Sequence, residues 1–304
     1  MEQLPPQPPR EVVEFLTTLR LAPGEDAEAL FAAQGEAMLA RPWPEVGALH
    51  KRLAIPGGGE GLDADLVLPA GGEGWPLLLY IHGGGWEAGS PGTHRRVAHE
   101  FAARGFATLV PRYRLGPADR HPAQLDDLDA AIAWAQDQLG DYGGDATRLV
   151  LAGDSAGAHL AAALAVRRRL AGRDDVGAAV LLTGIFEYHD GLHLVGPHGH
   201  DEASQPLLEP AEFEALREDP VVNPLLGADH LPPAFLGAGS ADPFADHSRR
   251  LAESLAAAAV PATLDWGEGL PHLWYLLPGL PQSAAGLDRA AAFAHDSLEE
   301  RDAN

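Results

Sequence analysis

The stretch that decides the fold lies at residues 148–160 and reads RLVLAGDSAGAHL. An apolar, strand-like run at Leu149–Ala152 leads into the pentad Gly153-Asp154-Ser155-Ala156-Gly157, and an alanine-rich helical run continues from Ala156 to about Ala171. The serine stands on a turn so sharp that only glycine fits at the flanking positions. The pattern predicts a nucleophile elbow, which exposes the serine hydroxyl and points the next backbone N–H at a developing oxyanion.

Helical and strand-like runs alternate from residue 93 to the end of the chain. Such alternation predicts an α/β fold in which a mostly parallel sheet is flanked by helices on both faces. Besides the elbow, the predicted elements are the helices Thr93–Arg104, Ala123–Leu139, Ala245–Ala259 and Ala284–Leu298, and the strands Phe106–Val110, Ala178–Thr183, Ala234–Gly239 and Ala262–Trp266.

Three further strand-like runs precede this region, at Ala48–Ile55, Asp63–Leu68 and Pro76–Ile81. Glycine-rich runs at residues 57–59 and 71–74 separate them. Neither run opens a helix or carries a Gly-Lys-Ser/Thr sequence, so neither matches a phosphate-binding loop. We interpret both as hairpin turns.

The pattern at the start of the chain suggests a separate N-terminal segment. Residues 1–45 combine a proline-rich start with two helical stretches, Glu11–Leu21 and Glu25–Ala40, whereas residues 46–304 contain the alternating pattern. The alternation lapses at about residues 184–220, where the sequence is polar and contains histidine and proline. We interpret this stretch as an insertion at the rim of the sheet.

Composition narrows the classes of partner and chemistry. A net charge of −23 over 304 residues disfavours nucleic acid and anionic membranes as partners, because both need a basic surface. The absence of cysteine excludes disulfides, thiol nucleophiles and zinc–thiolate sites. The sequence has neither a run of about 18 apolar residues nor a basic start followed by an apolar stretch, so we expect a cytoplasmic protein.

A serine nucleophile needs a base and a group that orients the base. In an elbow fold the acid and the histidine follow the serine, each after a strand. Asp242 follows the strand at Ala234–Gly239 and His272 follows the strand at Ala262–Trp266. Taken singly, Asp242 could be a helix cap and His272 a buried loop histidine, but their order after the elbow favours a triad. Asp246 is the weaker acid candidate because it falls inside the next helix.

The segment His82-Gly83-Gly84-Gly85-Trp86 follows the strand run at Pro76–Ile81. Successive glycines let the backbone approach a substrate closely and present N–H groups to an oxyanion, together with the N–H of Ala156. A flexible turn is the alternative. The histidine before the glycines and the tryptophan after them favour the oxyanion loop.

With these motifs the sequence resembles the hormone-sensitive-lipase-like family of α/β-hydrolases, also called the bacterial family IV esterases. The resemblance spans about residues 75–275 and rests on four segments. They are His82-Gly83-Gly84-Gly85-Trp86, then Tyr113-Arg114-Leu115 with His121-Pro122-Ala123 and Asp126-Asp127, then Gly153-Asp154-Ser155-Ala156-Gly157, and finally Asp242-Pro243 with His272.

The resemblance implies an α/β-hydrolase fold with a small helical cap made from residues 1–45 and the insertion at 184–220. It also implies a serine carboxylesterase that acts on small esters with short to medium acyl chains and uses no metal or organic cofactor. The implied roles are Ser155 as nucleophile, His272 as base, Asp242 as acid, Gly83, Gly84, Gly85 and Ala156 as oxyanion-hole donors, and His82 as a support for the glycine loop.

Other activities use the same machinery. A formamidase, another amidase or a carbohydrate deacetylase would share this triad, and a homodimer is open in each case. The fold also hosts receptors that bind small molecules without turnover. Such receptors typically lose the catalytic histidine, and His272 is present here. We therefore favour an enzyme over a binding protein.

Further candidates concern the pocket and a metal. Four histidines crowd one part of the insertion, at positions 189, 193, 198 and 200. Imidazole is a common metal ligand, but no carboxylates with recognisable spacing accompany these residues, so we favour a polar loop over the mouth of the site and predict no metal. Five residues are candidates for lining the pocket, and core packing is the alternative for the aromatic ones among them. The candidates are Trp86, Asp154, Phe186, Tyr188 and Trp274.

Overall fold

The computed structural model describes residues 42–195 and 199–303. The two predicted N-terminal helices, Glu11–Leu21 and Glu25–Ala40, and one histidine of the insertion, His198, lie outside the described residues. The proposed cap segment at 1–45 therefore lies outside them as well, except for its last four residues.

The described residues form a sheet of eight strands in the order β1-β2-β4-β3-β5-β6-β7-β8. Strand β2 runs antiparallel to both β1 and β4, and all other neighbours are parallel. The strands are β1 Ala48–Ala54, β2 Asp63–Leu68, β3 Trp75–Ile81, β4 Ala107–Pro111, β5 Gly144–Asp154, β6 Val176–Leu182, β7 Ala234–Gly239 and β8 Ala262–Gly267.

Helices cover both faces of this sheet. The α-helices are α1 Pro91–Ala102, α2 Ala123–Gln138, α3 Ala156–Leu170, α4 Tyr188–Gly191, α5 Ala245–Ala257 and α6 Pro281–Asp302. Short 3₁₀ turns occur at Leu139–Tyr142, Leu192–Leu194, Pro210–Glu212, Pro224–His230 and Trp274–Leu276. In the described part of the chain, no helix combines the length and the apolar character needed to cross a bilayer.

The core consists of two apolar layers, one on each side of the sheet. Side chains of a strand alternate between its faces, so Leu77 and Leu79 of β3 join the layer under α2, α3 and α5, whereas Leu78 and Tyr80 join the layer under α1 and α6. Because both faces are covered, the central strands are apolar throughout rather than alternating with polar residues. The predicted α/β fold with a mostly parallel sheet is confirmed.

One of the two predicted hairpins is wrong. The glycines at 57–59 do join neighbouring antiparallel strands, β1 and β2. The glycines at 71–74 join β2 to β3, but β4 lies between these two strands in the sheet. The reason is that β2 takes β4 as its partner, and turn composition shows where a chain reverses but not which strand it will pair with.

Candidate active site

The elbow is built from the end of β5 and the start of α3. Ser155 has φ 52° and ψ −120°, a strained conformation for a residue other than glycine. The flanking glycines permit it. A β-carbon on Gly157 would lie 2.0 Å from the carbonyl oxygen of Ile81, and one on Gly153 would lie 2.5 Å from the carbonyl carbon of Gly157. Strand, serine and helix therefore pack more closely than any larger residue would allow.

The structure brings the three predicted triad residues together. The Ser155 Oγ lies 3.0 Å from the Nε2 of His272, and the Nδ1 of His272 lies 2.9 Å from the Oδ2 of Asp242. Asp242 follows β7 and is fully buried through its side chain, whereas the His272 side chain is 19% exposed. The chain of hydrogen bonds runs from a buried carboxylate through an imidazole to a serine hydroxyl, which is the geometry that activates a nucleophile.

Asp242 is also fixed to the backbone. Its Oδ1 accepts a hydrogen bond of 2.8 Å from the N–H of Phe244, so its other oxygen stays directed at His272. Asp246, the weaker acid candidate, points elsewhere. Its side chain is 58% exposed and pairs with Arg249. Asp242, rather than Asp246, therefore contacts His272.

Two carboxylates set the basicity of His272. Burial on its own lowers the pKa of the ring, but the charge of Asp242, the hydrogen bond that the ring donates to Asp242 and the charge of Asp154 outweigh burial and raise the pKa above its ordinary value of 6.5. Asp242 also holds the proton on Nδ1, which leaves Nε2 free to accept the proton of Ser155.

The glycine loop presents two of the three predicted N–H groups. No acceptor among the described residues takes the N–H of Gly84, Gly85 or Ala156. The N–H of Gly83, the third predicted donor of the loop, differs because it donates to the Oδ1 of Asp154 at 3.2 Å. Gly84 has φ +124° and its carbonyl accepts two backbone N–H groups further along the loop, which turns the loop back on itself.

His82 supports this loop, as the resemblance implies. Its Nδ1–H donates to the carbonyl of Gly83 at 3.0 Å, and its ring stacks on Tyr113 with centroids 4.2 Å apart. Burial and the neighbouring His94 lower the pKa of His82 to about 3. The ring is therefore neutral at neutral pH and packs as part of the scaffold.

The five pocket candidates are all buried in this structure. Each has at most 1% of its surface exposed. The indole N–H of Trp86 donates to His159 at 3.2 Å, and Trp274 packs against α6 at Gly286. Their apolar surface is used for core packing, and Asp154 holds the glycine loop. The candidates so placed are Trp86, Asp154, Phe186, Tyr188 and Trp274.

Two histidines of the insertion contact different partners. His189 contacts the carbonyl of Phe213 at 2.5 Å, whereas His200 contacts Glu87 at 3.2 Å, next to the glycine loop. No group of three histidine, aspartate or glutamate side chains in residues 42–195 and 199–303 is placed to hold a metal ion. Val195 of the insertion also lies over the glycine loop, since a β-carbon on Gly85 would be 3.0 Å from its Cγ1.

Sequence reasoning missed a buried polar cluster below the glycine loop. Tyr80 and His94 both approach the Asp154 carboxylate, the tyrosine hydroxyl at 2.8 Å and the imidazole Nε2 at 3.3 Å. A signal for Tyr80 was available, because it carries a polar atom within the otherwise apolar strand run Pro76–Ile81. His94 has no comparable signal, since it lies on a separate helix.

Comparison with known proteins places this fold and site in a family. A family model described as the alpha/beta hydrolase fold matches residues 78–276. The chain belongs to this α/β-hydrolase family. A carboxylesterase of Mycobacterium tuberculosis is 34% identical over 206 residues, which cover 62% of this chain. This α/β-hydrolase spans 63% of the length of that relative.

Two further matches support the assignment. An acetyl-hydrolase of Streptomyces hygroscopicus is 32% identical over 236 residues, covering 73% of this chain and 76% of the relative. A solved esterase from the bacterial hormone-sensitive lipase family superposes with a TM-score of 0.72 at 26% identity, covering 94% of this chain and 97% of that one. The resemblance to the hormone-sensitive-lipase-like esterases is confirmed.

Proposed function

We propose that this α/β-hydrolase is a serine carboxylesterase that hydrolyses small esters with short to medium acyl chains. The observation that carries the proposal is the hydrogen-bonded relay from Asp242 through His272 to Ser155. At the same end of the sheet lie the N–H groups of Gly84, Gly85 and Ala156, for which the described residues offer no acceptor. Acyl transfer needs a relay and free N–H donors of this kind.

The proposed reaction proceeds through an acyl-enzyme. His272 Nε2 takes the proton of Ser155 while Oγ attacks the ester carbonyl carbon, and the carbonyl oxygen becomes an oxyanion. The protonated His272 then gives its proton to the leaving alkoxide, and the alcohol departs. Water repeats the attack on the acyl-enzyme, with His272 again taking and returning the proton, and the carboxylic acid leaves.

The N–H groups of Gly84, Gly85 and Ala156 are the proposed donors to the oxyanion. Each such donor typically contributes about 2.7–4 kcal/mol to the transition state. The first turn of α3 also favours the negative charge of the oxyanion, because the N-terminus of a helix carries partial positive charge. Ser155 stands directly at that terminus.

Two observations support a small acyl group. The insertion contacts the glycine loop through Val195, which limits space above the proposed oxyanion donors. The Streptomyces relative is named an acetyl-hydrolase. We propose that residues 1–45 and the insertion at 184–220 together form a cap over the site. Removing residues 1–40 tests this, because an unchanged preference among acyl chains would contradict a cap.

The deciding experiment measures kcat/KM for p-nitrophenyl esters from acetate to dodecanoate. We expect a maximum at short or medium chains and a loss of more than about 10⁴-fold in Ser155→Ala. Ser297→Ala is the matched control, because Ser297 is buried to the same 8% exposure and donates only to the carbonyl of Phe293 within α6.

Ester hydrolysis that persists in Ser155→Ala would discard the proposal. If the wild type hydrolyses none of these esters, formamides and acetylated sugars are the next substrates, since an amidase or deacetylase would use the same relay. A lack of turnover on all three classes would favour a binding protein.

A homodimer and a cytoplasmic location remain predictions. The support for a dimer is that β8 ends the sheet and pairs only with β7 among the described strands, which leaves one edge open. Light scattering of the purified protein measures the mass of the particle. Fractionation of cells that express the protein measures its location.

A further inference from the structure

The Asp154 carboxylate occupies a buried position between the elbow and the glycine loop. Asp154 is the last residue of β5, directly before Ser155, and is 1% exposed. Its Oδ1 accepts hydrogen bonds from the Tyr80 hydroxyl at 2.8 Å and from the Gly83 N–H at 3.2 Å. His94 Nε2 lies 3.3 Å from the same oxygen. A group this deeply buried cannot touch a substrate, so any effect on the reaction passes through its partners.

The carboxylate is ionised despite its burial. Burial on its own raises the pKa of Asp154, but the charge and hydrogen bond of His94 and the hydrogen bond from Tyr80 together hold that pKa below its ordinary value of 3.8. A negative charge is therefore fixed next to the reacting residues at neutral pH.

The first partner of this charge is the peptide of Gly83. A β-carbon on Gly83 would lie 2.3 Å from the Oδ2 of Asp154, so only glycine lets the loop approach the carboxylate this closely. On its other side, the Gly83 carbonyl accepts from His82 at 3.0 Å. With both its N–H and its carbonyl held, Gly83 fixes the peptide groups on either side of it, and the second of these carries the N–H of Gly84.

The second partner is His272. The charge of Asp154 raises the pKa of His272 in addition to the effect of Asp242. In the proposed reaction this ring carries a second proton, and therefore a positive charge, in each tetrahedral intermediate. A fixed negative charge nearby therefore stabilises the intermediate more than the resting enzyme.

We propose that Asp154 is a positioning residue of this site: its carboxylate orients the oxyanion loop through the Gly83 N–H. The proposal rests on the proposed ester hydrolysis. It assigns to the residue before the nucleophile a task separate from that of Asp242, which contacts the imidazole directly.

The groups that face Asp154 come from three parts of the fold. Tyr80 and His82 come from β3 and the residue after it, His94 comes from α1, and His272 comes from the loop after β8. Arg112 acts on the cluster from outside by lowering the pKa of His82. A variant at Asp154 leaves all of these groups in place and changes only the carboxylate.

Two variants separate the two effects. Asp154→Asn removes the charge but keeps an oxygen that accepts from Gly83, whereas Asp154→Ala removes both. We expect Asp154→Ala to lower kcat about 10²-fold with little change in KM, the cost of a misplaced reacting geometry. We expect Asp154→Asn to lose less than tenfold in kcat and to move the acid limb of kcat/KM to lower pH, because His272 becomes less basic.

Asp127→Asn is the matched control. Asp127 is also a fully buried carboxylate that accepts from a glycine N–H, that of Gly59 at 2.7 Å, and it pairs with Arg114. Both Asn variants therefore lose one buried charge next to a glycine loop. We expect Asp127→Asn to lower the Tm but to leave kcat and the acid limb unchanged at temperatures where it is folded.

A second readout separates this proposal from the proposed function. The rate at which a fluorophosphonate labels Ser155 is measured in each variant, since labelling needs the same serine and loop but no ester turnover. Slower labelling in Asp154→Ala than in Asp127→Asn supports the positioning role even if no ester substrate is found. Wild-type kcat and labelling in folded Asp154→Ala overturn it, while Ser155-dependent hydrolysis would still support the esterase.

Discussion

Replacing Asp242 with asparagine tests the proposed relay with almost no change in shape. The Oδ2 of Asp242 lies 2.9 Å from the Nδ1 of His272, and its Oδ1 accepts from the Phe244 N–H. The backbone contact keeps an oxygen of the new side chain on Phe244 and directs its NH₂ group at Nδ1. An NH₂ group donates there, so the imidazole carries its proton on Nε2 and can no longer accept from Ser155.

The expected loss follows from this change of tautomer. In triads of this type the wrong tautomer lowers kcat about 10⁴-fold, which corresponds to about 5.4 kcal/mol at about 1.36 kcal/mol for each tenfold change. The pH dependence changes as well. Without the charge and hydrogen bond of Asp242, burial dominates and the pKa of His272 falls, so the residual activity extends to lower pH than in the wild type.

The assay is kcat/KM for a p-nitrophenyl ester across pH, with Asp246→Asn as the control. Asp246 lies four residues further on, in α5, and its exposed carboxylate pairs with Arg249 rather than with His272. We expect the control to match the wild type. A loss in Asp246→Asn equal to that in Asp242→Asn would refute the assignment of the acid, and so would an Asp242→Asn enzyme with more than a tenth of wild-type kcat.

Two further predictions follow from the geometry of the site. Asp242 and Asp154 raise the pKa of His272 above 6.5, and the base acts only when it is unprotonated. The kcat/KM of the wild type should therefore fall as pH drops through a value above 6.5. A pH profile with its acid midpoint below 6.5 would contradict this. Gly157→Ala should lower the free energy of unfolding by about 3 kcal/mol or more, because its β-carbon would lie 2.0 Å from a backbone oxygen of β3. Gly92→Ala on α1, where the nearest atom to a β-carbon would be the Ser90 Oγ at 3.5 Å, should instead stabilise the helix by up to about 1 kcal/mol. Urea denaturation of both variants compares them.

The parts of the site that sequence predicts are those fixed by local chemistry and chain order. The sequence predicts the strand at Ala234–Gly239 with the bounds that the structure has. The elbow needs only a strand, two glycines and a helix in succession. The order of Ser155, Asp242 and His272 then suffices to place all three at the same edge of a parallel sheet. This works because parallel strands all present their carboxyl ends to that edge.

The parts that sequence misses depend on contacts between distant segments. Gly83 has the same local chemistry as Gly84 and Gly85, and only the approach of Asp154 removes its N–H from the set of donors. Trp274 likewise stands two residues from His272, yet the turn at Trp274–Leu276 directs it against α6. Neighbourhood in sequence predicts which loop a residue belongs to, but the direction of its side chain depends on the packing of whole elements.

In the proposed mechanism the two carboxylates share one physical arrangement. Asp154 and Asp242 are both buried, and each accepts from a backbone N–H, one from Gly83 and one from Phe244. A carboxylate anchored to the main chain has lost its rotational freedom when the protein folds, so binding of substrate needs no further ordering of that side chain. Asp242 thus orients the ring of His272, and Asp154 orients the loop that receives the oxyanion. On this reasoning, catalysis in this α/β-hydrolase depends on preorganised electrostatics, and replacing either carboxylate should lower kcat much more than it raises KM.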